Sequence, residues 1–231
     1  MRSLDVASSL AATLVRFAGG LNADASGTRP AEPLTLYEFE SCPFCRKVRE
    51  ALTALDLDAL VLPCPKRGRR YRPELARRGG KEQFPYLVDP NAGIEMYESD
   101  DIIDHLYAEY GPPGARPGPK GALPVVTGSL ASALRANQGT FARPSTAPTE
   151  PLELWSYEAS PYCRIVRERL CERELPYRLH NVGKGSPRRD AFVKRFGRMQ
   201  VPYLLDPNTG KGLFESAEIV AYLDATYGAR R

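Results

Sequence analysis

Histidine is nearly absent from this chain, cysteine is sparse, and long apolar runs are missing. Zinc requires four ligands, but only two histidines occur in 231 residues. His105 and His180 lie far in sequence from each other and from the one Cys-X-X-Cys pair, so no metal is expected. The five cysteines (Cys42, Cys45, Cys64, Cys163 and Cys171) are an odd number and a poor disulfide framework. They fit a reducing, cytoplasmic setting with one redox-active pair. No stretch approaches the ~18 apolar residues of a spanning helix, so no membrane partner is expected. Strong charge is lacking too: a net charge of +4 is too mild to imply nucleic acid. The local runs Lys66-Arg67-Gly68-Arg69-Arg70 and Arg188-Arg189 read as solvated faces. Asp5 and Arg16 interrupt the N-terminal apolar stretch, which argues against a signal peptide. Leu4, Ala7, Leu10, Ala11, Leu14 and Ala18 fall instead at helical spacing.

What the chain does contain is a duplication. Cys42-Pro43-Phe44-Cys45 returns 118 residues later as Ser160-Pro161-Tyr162-Cys163. At an offset of 117, Gln83-Phe84-Pro85-Tyr86-Leu87-Val88-Asp89-Pro90-Asn91 matches Gln200-Val201-Pro202-Tyr203-Leu204-Leu205-Asp206-Pro207-Asn208. Glu98-Ser99 likewise matches Glu215-Ser216, and Tyr110-Gly111 matches Tyr227-Gly228. A leader segment is repeated as well: Leu10-Ala11-Ala12-Thr13-Leu14 resembles Leu130-Ala131-Ser132-Ala133-Leu134. Residues 1–112 and 123–231 are therefore expected to form two units, each a leader helix and a module. A Pro/Gly-rich connector, 113–122, joins them. Within a module the pattern predicts the order β-α-β-α-β-β-α. In the first, strands fall at 34–39, 59–62, 86–88 and 94–97, and Val48, Leu52 and Leu55 share one helix face. Tyr37, Phe39, Trp155 and Tyr157 read as core or strand-face residues.

The tetrapeptides carry the chemistry. A cysteine at the start of a helix meets unpaired backbone N–H groups and the positive end of the helix dipole, which favour thiolate over thiol. Pro43 suits the first turn because its missing N–H is not needed there. Cys45 lies one turn on, on the same face, near enough to resolve a mixed disulfide formed on Cys42. Pro85 and Pro202 each open a strand, where proline is ordinarily trans. Downstream of such a cysteine they are expected to be cis, turning the backbone of Phe84 and Val201 toward a peptide substrate. Glu98-Ser99 and Glu215-Ser216 open the last helix of each module, where they serve as caps and can also meet a carboxylate.

On these residues the chain resembles glutaredoxins and the N-terminal domain of glutathione transferases, both thioredoxin-like, over roughly residues 33–111 and 151–228. The implied fold is α/β: two tandem modules, each with a four-stranded mixed sheet and each preceded by a leader helix. The resemblance implies glutathione as co-substrate, catalytic Cys42 and Cys45, and glutathione contacts at Phe84, Pro85, Glu98 and Ser99. The second module offers Ser160, Cys163, Val201, Pro202, Glu215 and Ser216. There Ser160 replaces the attacking cysteine, which implies a degenerate or ligand-holding role, or a serine that donates to the glutathione thiol. The chain departs from glutaredoxins in having Glu40 and Ser41 where a lysine is common, and Tyr97-Glu98-Ser99 in place of a Gly-Gly-Asp segment. Against transferases, the helical second domain that holds their electrophile is not expected after the module.

The leading expectation is a glutathione-linked thiol–disulfide oxidoreductase acting on protein or small-molecule disulfides. A conjugating or isomerising transferase and a non-catalytic glutathione-binding or redox-sensing scaffold are the alternatives. As an assembly, either a monomer with internal pseudo-symmetry or a homodimer fits. Cys64 and Cys171 read as packing residues, although Cys64, between two prolines, leaves an exposed thiol open.

Overall fold

The computed structural model describes residues 3–118 and 120–229. Met1, Arg2, Pro119, Arg230 and Arg231, which include the outer ends of the two expected units and one connector position, lie outside the described residues. The first unit runs α1 (Ser3–Val15), β1 (Leu34–Glu38), α2 (Pro43–Ala54), β2 (Ala59–Pro63), α3 (Arg72–Gly79), β3 (Tyr86–Asp89), β4 (Ile94–Met96) and α4 (Ser99–Tyr110). The second repeats it with α5 (Ala122–Leu134), β5 (Leu152–Ser156), α6 (Pro161–Glu172), β6 (Tyr177–Asn181), α7 (Arg188–Phe196), β7 (Tyr203–Asp206), β8 (Lys211–Leu213) and α8 (Ser216–Tyr227).

The expected pair of four-stranded sheets is joined into one eight-stranded sheet, ordered β4-β3-β1-β2-β6-β5-β7-β8. β1 and β2 are parallel, as are β5 and β6, and the remaining pairs are antiparallel. An isolated module would leave β2 and β6 as open edges, which readily pair with other strands. Here they pair with each other, Ala59 opposite Leu179, Leu60 opposite Arg178 and Val61 opposite Tyr177. Leu60 and Arg178 are equivalent positions of the repeat, so an internal two-fold axis passes between them. Helices cover both faces, and the central strands are accordingly buried on both sides. One core lies between the sheet and α2 and α4, built from Leu34, Leu36, Val48, Leu52, Ile102 and Leu106. Its counterpart uses Leu152, Leu154, Val166, Leu170, Ile219 and Leu223. On the opposite face, α3 covers Tyr37 and Tyr86, and α7 covers Trp155 and Tyr203. Both of these helices end on a left-handed glycine, Gly80 and Gly197.

The leader helices form a further layer on the outer side of α2 and α6, and they are exchanged. α1 packs on α6 of the other module, α5 packs on α2, and the two leaders pack on each other. Thr13 donates to the Ala159 carbonyl (2.9 Å) and Ser132 to the Ser41 carbonyl (2.7 Å), so these two residues play equivalent parts. The structural correspondence is thus one residue off the match of Leu10–Leu14 with Leu130–Leu134. The reason is that hydroxyls, not leucines, set the register. The leucine stripe of α1 lies on its solvent side, and its buried residues are Ser9, Ala12 and Thr13. Ala18, with a positive φ of 54°, falls outside the helix.

A buried charge cluster straddles the two-fold axis. Arg49 meets Glu158 through Nε (2.9 Å), and Arg167 meets the equivalent Glu40 through its own Nε (3.1 Å). Arg167 Nη2 also reaches Glu158 (2.8 Å), and Arg49 pairs with Glu38. Burial alone would raise the Glu158 carboxyl; the guanidiniums of Arg167 and Arg49 overcome this and hold it well below the usual carboxylate range. Glu38 differs: burial, helped by Glu40 and Glu158, pushes it up to about 7 against the pull of Arg49. The basic runs also do more than coat a surface. Arg70 donates to the Arg173 carbonyl (3.3 Å), and Arg188 pairs with Asp56 (3.1 Å), each bridging the two modules.

Candidate functional site

The first site forms where β1 ends and α2 begins. Cys42 is the N-cap of α2 in an extended conformation (φ −71°, ψ 123°), and its Sγ accepts the Cys45 backbone N–H at 3.3 Å. Ser160 caps α6 in nearly the same conformation (φ −68°, ψ 120°), with Oγ accepting the Cys163 N–H at 3.2 Å. The exchange of cysteine for serine thus preserves the cap and changes only the chemistry of the capping atom. The Cys42 thiol is lowered from its ordinary range by a hydrogen bond from the Cys45 side chain, which outweighs burial, with backbone N–H groups adding to it. Cys45 moves the other way, raised well above by burial and by its neighbour Cys42. The two thiols are thus displaced in opposite directions, which favours thiolate at Cys42 and thiol at Cys45.

Pro85 and Pro202 both follow cis peptide bonds. Phe84 packs edge-on against Phe39, with the Arg72 guanidinium 4.6 Å above its ring. Glu98 is exposed and accepts from Gln83 Nε2 at 2.5 Å, and Glu215 and Gln200 repeat the pair at the same distance. Ser99 and Ser216 are buried at the starts of α4 and α8. The two modules differ in backbone at this point. Glu98 has φ 64°, a left-handed value that costs a non-glycine residue about 1–3 kcal/mol, whereas Glu215 has an ordinary φ of −83°.

α5 lies over the first site. Gly128 packs so closely on Pro43 that a Cβ there would sit 2.9 Å from the proline Cβ. With the Ser132 bond to Ser41, this leaves Cys42 only 4% exposed. The clamp over Ser160 has more bonds: Ser9 donates to the Pro161 carbonyl (2.8 Å), and Arg164 donates to the Ser9 carbonyl (2.6 Å) and to Thr13 (2.9 Å). The equivalent Arg46 is buried, and its Nε and Nη1 have no hydrogen-bond partner among the described residues. A cavity of about 320 Å³ opens between α2, α4 and the start of α5, lined by Arg16, Phe17, Lys47, Glu50, Ile103 and Tyr107 among others, and its lining does not include Cys42 or Cys45.

Glu40 and Ser41 do not stand in the approach to the site. Glu40 is buried on Arg167, and Ser41 bonds Thr140 (2.6 Å). Cys64 and Cys171 are buried, which removes the exposed thiol that the sequence left open at Cys64. His105 bonds Asp89 (2.8 Å) at the position where the second module has Tyr222 on Asp206 (2.6 Å), a tie between the last helix and the sheet. Sequence reasoning missed the buried arginines. The available signal was that Arg46, Arg49 and Glu40 recur unchanged in the second copy as Arg164, Arg167 and Glu158, while Cys42 does not.

A mixed sheet with a helix capped by Cys42 or Ser160 at a strand end, and a cis-proline at the start of β3 or β7, defines a thioredoxin-like protein with two modules. The family model for the glutathione S-transferase N-terminal domain matches residues 36–114 and 154–231. The chain belongs to that family, carrying its domain twice. No curated protein matches the chain. Among solved structures it is similar to a Bombyx mori glutathione transferase, BmGSTD1, at 27% identity over 36% of this chain and 38% of that one, with a TM-score of 0.33. It is also similar to Leishmania TDR1, a trimeric glutathione transferase, at 17% identity over 84% of this chain and 67% of that one, with a TM-score of 0.30.

Proposed function

We propose that the protein is a glutathione-linked thiol–disulfide oxidoreductase working through its first module. The observation that carries this reading is the cysteine pair at the head of α2, where Cys42 caps the helix and its Sγ accepts the Cys45 N–H at 3.3 Å; the lowering of Cys42 and raising of Cys45 agree with it. The Cys42 thiolate attacks a mixed disulfide of glutathione, forming a Cys42–glutathione disulfide and releasing the other partner as a thiolate. Cys45 then gives up its proton and attacks Cys42 Sγ, closing the Cys42–Cys45 disulfide and expelling glutathione. Two further glutathione thiols reduce the enzyme and leave as oxidised glutathione. The backbone of Phe84 beside Pro85 pairs with the tripeptide, and the exposed Glu98 carboxylate with Ser99 holds its amino-terminal end. The second module keeps the scaffold without the nucleophile, and its relaxed Glu215 fits a role in packing or in holding a ligand.

Intact-mass measurement after exposure to oxidised glutathione tests the mechanism. Cys45→Ser should retain one glutathione on Cys42, and Cys42→Ser should carry none. A Cys45→Ser protein that stays unmodified would overturn it. The cavity beside α2 and α4, together with family membership, favours a second reading as a transferase for an apolar electrophile. Conjugation of chlorodinitrobenzene exceeding mixed-disulfide reduction would favour that reading.

A further inference from the structure

The two leader helices are amphipathic in the wrong direction for a free surface. On α1 the residues turned inward are Ser9, Ala12 and Thr13, and on α5 they are Pro124, Gly128, Ala131 and Ser132. The outward stripes are Leu4, Leu10 and Leu14, continued by Phe17, and Leu123, Val126, Leu130 and Leu134. All eight are between 42% and 83% exposed. Within the two helices Asp5 is the only charged residue, and α5 has none. The arginine after each helix is already engaged, Arg16 with Glu50 (2.5 Å) and Arg135 with Glu168 (2.6 Å). A helix facing water normally reverses this pattern.

We infer that this layer is a dimerisation surface and that its occupant is the same layer of a second copy of this chain. Eight half-exposed large side chains offer on the order of 800 Å², more than the ~300–600 Å² patch of an ordinary monomer and close to one partner's share of a standard interface. The internal two-fold axis makes α1 and α5 near-copies of each other. A second molecule can therefore set its α5 on α1 and its α1 on α5, giving an isologous four-helix layer in which every stripe meets a similar one. An uncharged face suits such a match. A membrane surface suits it less, because interfacial helices carry lysine and arginine on their flanks.

Sedimentation velocity and light scattering on the full chain, over a wide range of concentration, test the inference. The native protein should run at twice the 25.6 kDa chain mass. Leu14→Glu with Leu130→Glu should return it to the single-chain mass, with circular dichroism and the Cys42 alkylation rate unchanged. Val126→Lys, at a separate exposed position, should weaken the dimer by itself and guards against a folding artefact. A native protein at the single-chain mass at every concentration overturns the inference, as does a dimer that survives all three substitutions. Binding of a monomeric native protein to phosphatidylcholine vesicles would overturn it by assigning the layer to lipid.

Discussion

Replacing Glu158 by glutamine should cost far more than removal of a surface charge. The carboxylate is buried and accepts from Arg49 Nε (2.9 Å) and reaches Arg167 Nη2 (2.8 Å), guanidiniums that lie on opposite sides of the two-fold axis. Glutamine keeps the shape, can satisfy only part of the donor set, and leaves two buried cations facing Glu40 and Glu38 alone. Breaking one side of a buried pair costs about 3–5 kcal/mol, a large share of the ~5–15 kcal/mol that typically stabilises a domain. The charge sits at the junction of the modules, so urea unfolding of Glu158→Gln should also lose cooperativity, one module melting ahead of the other. Glu40→Gln, its repeat equivalent, should behave alike. The sign with pH is fixed by the lowered carboxyl. Its stabilisation is present above the unfolded value of ~4.3 and is lost as pH falls below it, so the penalty of the substitution should shrink in acid. A loss below about 1 kcal/mol at neutral pH, the range of a solvated pair, would refute the reasoning.

Glu38 should act in the opposite sense. Its folded value near 7 lies above the unfolded one, so it contributes stability below pH ~4.3 that is lost as pH rises toward 7, up to about 3 kcal/mol. Unfolding free energies of Glu38→Gln across that window should show a flatter slope than the native protein. The α5 clamp gives a kinetic prediction. Ser132→Ala removes one hydrogen bond, worth about 0.5–1.5 kcal/mol, from the helix over Cys42, so iodoacetamide should alkylate Cys42 roughly 2–10 times faster. An unchanged rate would mean that α5 does not limit access.

Much of the molecule was legible in the sequence, because strand and helix periodicity and turn chemistry are local. The two α/β modules, the helix opening at Cys42, the turn after Asp89 and the prolines at 85 and 202 all followed from residues near one another. Repetition made the reading stronger, since each feature occurred twice. The chemical difference between the modules was also written locally, as Cys42 against Ser160. What the sequence could not decide was how two similar units meet. Pairing of β2 with β6, exchange of α1 and α5, and burial of Arg49 and Arg167 on the other module's glutamates depend on contacts more than a hundred residues apart. An arginine on a helix reads as solvent-facing until its partner is known. A leucine stripe reads as core until the opposite face proves to be packed with serine, glycine and alanine.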